Sequence, residues 1–143
     1  ILIFGSGAHV TPLISMANLM NWETTIIDLN MKKEFVKQAD NLIYLERLDD
    51  IFSLDLSLYD ASVILSHSPI TDDTYLKALL KTNMQYIGIM GNKKSAQNKK
   101  EKFALENDKR FFAPIGFDIG SYTPESIALS ICAQIEARKN RKI

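Results

Sequence analysis

The sequence contains one cysteine, Cys132, so an internal disulfide bond is excluded. Lysine plus arginine and aspartate plus glutamate both number 17, and this formal net charge of zero gives no global argument for nucleic acid or an anionic membrane as a partner. The chain also has no long uncharged apolar run and no signal-like start. We therefore expect a cytoplasmic protein in which any anion site is local.

The chain is too short for two separate domains. Its 143 residues suffice for one domain with a hydrophobic core, but not for a cofactor domain and an additional substrate domain. The first residues have the character of a strand and no initiator methionine precedes them, which is compatible with a piece of a longer polypeptide.

The N-terminal segment is the most informative part of the sequence. Residues 1–4 are apolar, and the glycine that ends them favours a central strand that is buried on both faces. In the turn that follows, Gly5 permits a bend that a Cβ would obstruct, and Gly7 lets phosphates approach the free amides of the next helix. Pro12 supports a helix start, since a first-turn residue needs no amide proton. We predict an anion site in this turn, formed by Gly5, Ser6, Gly7, Ala8 and His9.

A carboxylate follows at the spacing typical of dinucleotide-binding folds. Residues 22–27 predict a second strand, and Asp28 at its end lies 21 residues after Gly7. Such a carboxylate accepts hydrogen bonds from the hydroxyls of an adenosine ribose and repels a 2′-phosphate. Val10, however, occupies the position where the dinucleotide pattern asks for a third small residue. Asp28 is therefore interpreted either as a ribose ligand or as a residue that ends a strand at a turn.

Strand and helix patterns alternate along the rest of the chain. They predict strands at 41–45, 61–65 and 85–90 and a sixth strand near residue 111. They also predict a short helix at 32–38, an amphipathic turn within 46–60, a helix that Thr71 caps and that runs to residue 81, and a last helix that Thr123 caps. This alternation predicts one α/β domain with a doubly wound, mostly parallel sheet of about six strands and helices on both faces.

A second candidate loop follows the fourth predicted strand. In the strand order 3-2-1-4-5, the first and fourth strands are neighbours, and a crevice opens at their carboxyl ends. Ser66 and His67 directly follow the fourth strand, so we expect them to line this crevice together with the glycine turn. A structural role for the lone histidine stays open as the alternative.

A third candidate loop follows the fifth strand and contains Gly91, Asn92, Lys93 and Lys94. Asn92 can cap the next helix, whose N-terminal lysines oppose the helix macrodipole unless an anion offsets them. Bound phosphate and plain solvation of the lysines are both compatible with this pattern. Near the C-terminus, Asp118 lies in a loop between two glycines and is predicted to orient a ligand or a helix. Cys132 lies on the apolar face of the last helix and is predicted to be core.

Several of these motifs together resemble one protein family. The strongest match is PIGFDIG at 114–120, followed by TPESIA at 123–128, and further matches are YIGIMGNKK at 86–94 and the pairing of His67 with Asp72. The chain resembles the C-terminal domain of the XdhC/CoxI family, accessory proteins of xanthine dehydrogenase and related molybdenum hydroxylases. The likeness covers nearly the whole chain.

The resemblance implies a Rossmann-type domain that helps to bind molybdenum cofactor, to support its sulfuration and to deliver it to the apo-dehydrogenase. This is the function of an accessory protein rather than an enzyme. The family's loop histidine directly follows the second glycine, and its role falls here on His9, one position later. The N-terminal domain of longer family members is absent from this chain. The implied partners are a xanthine dehydrogenase-type molybdoenzyme, a sulfurase or a separate N-terminal-domain protein, and a second copy in a homodimer.

Two other functions fit the same residues. The glycine turn and Asp28 also suit an oxidoreductase that uses NAD or NADP, although one domain of this size would have to dimerise to complete a substrate pocket. A nucleotide-sensing regulatory module is the third hypothesis. No set of acid, base and nucleophile is evident, so no catalytic residue and no metal ligand is assigned.

Overall fold

Six parallel strands form a single sheet at the centre of the computed structural model, which describes all residues from Ile1 to Ile143. The strands are β1 (Leu2–Phe4), β2 (Thr25–Asp28), β3 (Asn41–Tyr44), β4 (Ala61–Ile64), β5 (Tyr86–Ile89) and β6 (Phe111–Phe112). Their order is β3-β2-β1-β4-β5-β6, and every neighbouring pair is parallel. The central strands are rich in β-branched residues and are buried on both faces, as helices covering a parallel sheet require. The predicted doubly wound fold and its strand order are confirmed.

Four helices cover the two faces of this sheet. They are α1 (Val10–Leu19), α2 (Pro69–Leu80), α3 (Lys93–Lys102) and α4 (Pro124–Lys139). Apolar residues of α1 and α4 join one core layer, and apolar residues of α2 join the layer on the opposite face. None of the helices combines the length and the apolar character needed to span a membrane.

Cys132 and the caps of two helices lie as predicted. Thr123 accepts a hydrogen bond from the Ser126 amide at the start of α4, and Asn92 accepts one from the Ser95 amide at the start of α3. Cys132 is buried in the layer under α4, where burial raises the pKa of its thiol to about 11. The predicted core role of this cysteine is confirmed.

Other predicted boundaries were wrong. The helix expected at 32–38 is only a 3-10 turn at Lys33–Phe35, and β3 ends one residue earlier than expected. The short amphipathic turn expected within 46–60 is present, as a 3-10 segment at Leu48–Ser53. Helix α2 begins at Pro69, three residues before Asp72, whose amide donates to the carbonyl of Ser68. Thr71 therefore lies inside the helix and does not cap it. Proline is well suited to the first helical position, where an amide proton would have no partner.

Candidate functional site

The glycine turn joins β1 to α1 at the carboxyl edge of the sheet. Gly5 has a φ of 115°, and a Cβ at this position would lie 3.0 Å from the carbonyl oxygen of Leu65. Gly7 is different, because a Cβ there would meet no heavy atom within 4 Å. Gly5 is thus required for the close approach of the turn to the end of β4, whereas Gly7 leaves open space beside the main chain.

The turn also offers main-chain donors. The amides of Gly7, Ala8 and His9 have no acceptor within the protein, while the Val10 amide donates to the Gly7 carbonyl over 3.0 Å. Free amides at the start of a helix, together with the positive end of its macrodipole, favour the binding of an anion. Val10, at the position where a small residue was expected, is 1% exposed and belongs to the core layer of α1 and α4.

Asp28 is held against the turn by a hydrogen bond. The Ser6 hydroxyl donates to Asp28 Oδ2 over 2.5 Å, and the Leu29 amide donates to Oδ1 over 2.8 Å. Ser6 Oγ in turn accepts from the Lys32 amide over 2.9 Å. The glycine turn and the carboxylate at the end of β2 therefore lie next to each other in the structure. The sequence had related them only by their spacing of 21 residues. Each carboxylate oxygen keeps further acceptor capacity, as a ribose contact needs.

Two histidines connect the turn with the loop after β4. The rings of His9 and His67 meet edge to face, with their centroids 5.7 Å apart. His67 is exposed and has a φ of 62°, a left-handed conformation that is uncommon for a residue with a side chain. The pair stands at the point where helices after β1 and β4 leave opposite faces of the sheet, the usual ligand position in such folds.

The residue next to His67 forms a partly buried pair with α2. The Ser66 hydroxyl donates a hydrogen bond to Asp72 Oδ1, and Asp72 is 7% exposed. Burial raises the pKa of the Asp72 carboxyl, and this effect is opposed by the Ser66 hydrogen bond and by the charges of Lys99 and His67. Asp72 is thus hydrogen-bonded to Ser66. His67 forms no hydrogen bond with Asp72, and its charge only lowers the pKa of the Asp72 carboxyl.

Two residues of this region, Asp72 and Tyr75, were not among the predicted site residues. Tyr75 is 0% exposed, and its hydroxyl has no hydrogen-bond partner. Burial raises the pKa of this hydroxyl, and the Asp28 and Asp72 carboxylates raise it further. A usable signal was present, because Asp72 shares the helix face of the apolar residues at 75, 76 and 79, and a carboxylate on a core-facing stripe is unusual.

The other predicted site residues lie farther along the same edge. Asn92 uses its side chain to cap α3, Gly91 and Lys93 are exposed, and no ion pair involves Lys93. Asp118 is exposed, and its Oδ1 accepts only the Gly120 amide, over 3.4 Å. No hydrogen bond or ion pair joins these side chains to the glycine turn. Their roles toward a ligand stay predictions.

Two concavities of the molecule lie away from the glycine turn. One of 420 Å³ lies between the 48–60 segment and the end of α2, and one of 1080 Å³ is lined by Trp22, Tyr59 and Arg138 among others. Both are next to residues that precede strands, at the amino edge of the sheet. Neither concavity is lined by the glycine turn, Asp28 or the histidine pair. The candidate site is therefore defined by the glycine turn, Asp28 and the histidine pair, because free amides at a helix start favour an anionic ligand.

The raised pKa of Asp72 has a consequence for stability. Since the folded protein binds this proton more tightly than the unfolded chain, the contribution to stability is complete below the ordinary pKa of 3.8 and is lost as the pH rises through the raised value. Asp72→Asn removes this titration. We expect the free energy of unfolding of the variant, relative to the parent, to improve as the pH rises above the ordinary pKa of an aspartate, in urea denaturation series at several pH values.

Asp73 provides a matched control for this measurement. Its desolvation is outweighed by hydrogen bonds from Lys102 and Lys99, and the pKa of its carboxyl is lowered. Its contribution is present above the ordinary value and is lost as the pH falls, so Asp73→Asn should change the pH dependence in the opposite direction. If the free energies of unfolding of the parent and of Asp72→Asn changed with pH in parallel, the raised pKa of Asp72 would be contradicted.

Comparison with known proteins agrees with this architecture. Residues 1–135 match the family model of the XdhC Rossmann domain. The chain is 26% identical over 144 residues to a Bacillus subtilis protein named as a probable subunit of xanthine dehydrogenase, covering 99% of this chain and 43% of that protein. It is 25% identical over 150 residues to YqeB, an uncharacterized protein of Escherichia coli, covering 98% of this chain and 27% of that protein.

A solved structure is similar as well. A crystal structure described as a xanthine dehydrogenase from Bacillus halodurans superposes with a TM-score of 0.82 at 29% identity, over 99% of this chain and 43% of that one. The chain thus spans less than half the length of the relatives that it matches. Because the family model covers residues 1–135, which include every strand and most of α4, the chain belongs to the family of XdhC Rossmann domains.

Proposed function

We propose that this domain binds molybdenum cofactor as cargo, in the crevice between the glycine turn and the loop after β4. The observation that supports this most is the set of free amides at Gly7, Ala8 and His9, which lies beside His67 at the β1–β4 switch point. The phosphate of the cofactor suits these amides, because they are fixed donors at the positive end of α1. Lys93 adds positive charge at the same edge of the sheet.

The domain would act as an accessory to xanthine dehydrogenase-type enzymes, a proposal supported by the names of the relatives from Bacillus subtilis and Bacillus halodurans. It would hold the cofactor in the cytoplasm during sulfuration and pass it to the apo-enzyme. The chain spans 43% of these relatives. The rest of the cofactor site would then come from further polypeptide, either a separate N-terminal-domain protein or a second copy in a homodimer, with a sulfurase as a further partner.

Thermal-shift and calorimetric titrations with molybdopterin test this proposal, with ATP, AMP, NAD and NADP as comparison ligands. A ligand that binds only the native state raises the apparent stability, by about 2.7 kcal/mol at a hundredfold excess over its Kd. We expect saturable binding of molybdopterin that inorganic phosphate weakens, since both compete for the turn. Absence of any response to molybdopterin would contradict the proposal.

One observation favours a second candidate function. The Ser6–Asp28 hydrogen bond holds a carboxylate at the end of β2, beside the glycine turn. In dinucleotide-binding folds a carboxylate at this point accepts hydrogen bonds from the adenosine ribose, which supports an NAD-dependent oxidoreductase or an NAD-sensing module as the alternative. A nucleotide form of the molybdenum cofactor also contains a ribose. Asp28 therefore supports a ligand that contains a ribose, and both NAD and a nucleotide form of the molybdenum cofactor meet this condition.

Asp28→Ala should weaken the binding of NAD about tenfold, because hydrogen bonds between hydroxyls and a charged acceptor are lost. NADP should lose less or gain affinity, since the variant no longer repels the 2′-phosphate. Calorimetric titration of NAD and of NADP into the parent and the variant gives, for each nucleotide, the ratio of the two dissociation constants. Ser57→Ala, at an exposed residue whose hydroxyl bonds only to Asp55, serves as a control that should change neither. Equal losses for NAD and NADP would argue against a ribose contact at Asp28.

A further inference from the structure

The helices α1 and α4 have outer sides that contain almost no charge. Residues 1–22, which include all of α1, contain no aspartate, glutamate, lysine or arginine, and neither do residues 126–135 of α4. The helices α2 and α3 differ, because they contain three and six charged residues. A helix that faces water normally has charged and polar residues on its outer side. The uncharged outer side of α1 and α4 therefore calls for an explanation.

Apolar side chains are exposed on this side of the molecule. Leu19 at the end of α1 is 84% exposed, and Leu129 in the first half of α4 is 52% exposed. Ala133, one turn after Leu129, is exposed as well, and Ala137 one turn further is half-buried. We call the surface formed by these four residues the α1–α4 face. Single exposed apolar residues are common, but an uncharged group of them on two adjacent helices is typical of an interaction surface.

Charges border the α1–α4 face at its two ends, and their signs are opposite. Helices α1 and α4 pack side by side. Glu125 is exposed in the first turn of α4, and Lys139 and Arg141 are exposed at its other end. The 16 residues of α4 separate these ends by about 24 Å. At the border of the face, Glu136 is already engaged by Asn140 and by Lys139.

A second copy of the chain complements this pattern when the two α4 helices are antiparallel. With Ala133 opposite the partner's Ala133 at a two-fold axis, each Leu129 lies opposite the partner's Ala137. The alanines allow the helices to approach closely and leave room for the leucine. The same arrangement places Glu125 of each copy near the partner's Arg141, whereas parallel helices would bring like charges together. Charge and side-chain size therefore both favour the antiparallel pair.

The size of the α1–α4 face is sufficient for such a contact. Two adjacent helices present a surface roughly 20 Å wide, and α4 gives it a length of about 24 Å. The contact then buries on the order of 500 Å² on each copy and about 1,000 Å² in total, which is near the lower limit for a specific interface. We therefore expect a reversible dimer with a dissociation constant in the micromolar range.

We propose that the α1–α4 face is a contact between two copies of this chain, related by a two-fold axis at Ala133 with antiparallel α4 helices. This inference gives a defined place to the second copy considered above. It concerns a protein contact and needs no cofactor, so it stands or fails separately from the proposed binding of molybdenum cofactor.

Sedimentation velocity of the 143-residue chain across the micromolar range tests this contact. We expect the parent to change from monomer to dimer with rising concentration. Ala133→Arg should raise the dissociation constant at least about a hundredfold, because the two-fold axis places the new charge in the apolar contact twice. Its circular dichroism should match that of the parent, since residue 133 is exposed in the single chain. Asn98→Arg, at an exposed residue of α3, is the matched control and should dimerise as the parent does.

Oxidative cross-linking tests the position of the two-fold axis. Ala133→Cys places one thiol of each copy at the axis, and helices that meet through small residues are about 8 Å apart, so the two thiols are within reach of a disulfide bond. The native Cys132 is buried and the pKa of its thiol is raised, which keeps it unreactive. Oxidation should therefore link two copies of Ala133→Cys covalently. Asn98→Cys should stay unlinked under the same conditions.

Exchange of the end charges tests the antiparallel direction. Glu125→Arg should weaken the dimer about tenfold, because it brings two cations together at each end of the contact. Adding Arg141→Glu to this variant should restore the affinity of the parent, since the pair is then re-formed with the signs exchanged.

Three outcomes would overturn the proposal. A parent that stays monomeric throughout the micromolar range would show that two copies do not meet through this face. A dimer that Ala133→Arg does not weaken would show that they meet through another surface. Additive losses for Glu125→Arg and Arg141→Glu would exclude the antiparallel arrangement. None of these results would change the titrations that test the glycine turn.

Discussion

Replacing Gly5 with alanine is expected to lower the free energy of unfolding by about 2–4 kcal/mol. The backbone φ of 115° is strained for any residue with a Cβ, and the new methyl would lie 3.0 Å from the Leu65 carbonyl oxygen. That oxygen belongs to the main chain at the end of β4, so it cannot move away as a flexible side chain can. Urea denaturation followed by circular dichroism measures the loss.

Gly7→Ala is the matched control, two residues further along the same turn. A Cβ at Gly7 has no heavy atom within 4 Å, and its φ is outside the left-handed region, so stability should change by less than about 0.5 kcal/mol. The methyl would instead occupy space next to the free amides, and ligand binding should weaken. A large destabilisation by Gly7→Ala, or none by Gly5→Ala, would contradict the division of roles between the two glycines.

Gln134→Leu is expected to destabilise the fold by about 2–5 kcal/mol. Gln134 is 8% exposed, and its side-chain oxygen accepts from the Tyr86 hydroxyl over 2.6 Å and from the Gly116 amide over 2.9 Å. Leucine has a similar volume but no acceptor, so a buried phenol and the amide of a loop residue both lose their partner. Because the Gly116 loop leads to Asp118, this loop should become more mobile, which amide hydrogen exchange would detect.

A double-mutant cycle separates the two donors. In a Tyr86→Phe background the phenol is already gone, so Gln134→Leu should cost about 1–3 kcal/mol less than in the parent. The ring of residue 86 stays stacked on Phe112, with the centroids 4.6 Å apart in the parent. Additive effects of the two changes would show that the hydrogen bond between Tyr86 and Gln134 contributes little to stability.

The sheet was predictable because its strands are short apolar runs that glycine or polar residues end. Residues 1–4 and 61–65 are mostly apolar, and both are strands of the sheet, trimmed by a residue at an end. The spacing between Gly7 and Asp28 likewise placed the carboxylate at the carboxyl edge. Helix starts were less predictable, since Pro69 and Thr71 each offer a valid first-turn signal and only the bond from Asp72 to Ser68 distinguishes them.

Sequence patterns indicate that Asp72 is unusual on an apolar helix face, but they could not identify its hydrogen-bond partner. Tyr75 lies on the same apolar face of α2 and is completely buried, but apolar periodicity says nothing about the partner of its hydroxyl. The contact of Ser66 with Asp72 joins a loop to a helix six residues away, and it depends on how α2 leaves the sheet. This hydrogen bond depends on tertiary packing, so a sequence motif could not predict it.

The lysines of α3 fall into two groups that salt should affect differently. Lys99 and Lys102 are paired with Asp73, and the side chains of Lys99 and Asp73 are only 14% and 16% exposed. Lys93 and Lys94, at the exposed start of the helix, form no ion pair. The Debye length is about 8 Å at physiological ionic strength, and salt screens exposed charges more than partly buried pairs. Salt should therefore weaken the attraction of Lys93 and Lys94 for an anion more than it weakens the ion pair of Lys99 and Asp73 between α3 and α2. Ionic strength would therefore control the capture of an anion at this edge while leaving the architecture that presents it in place.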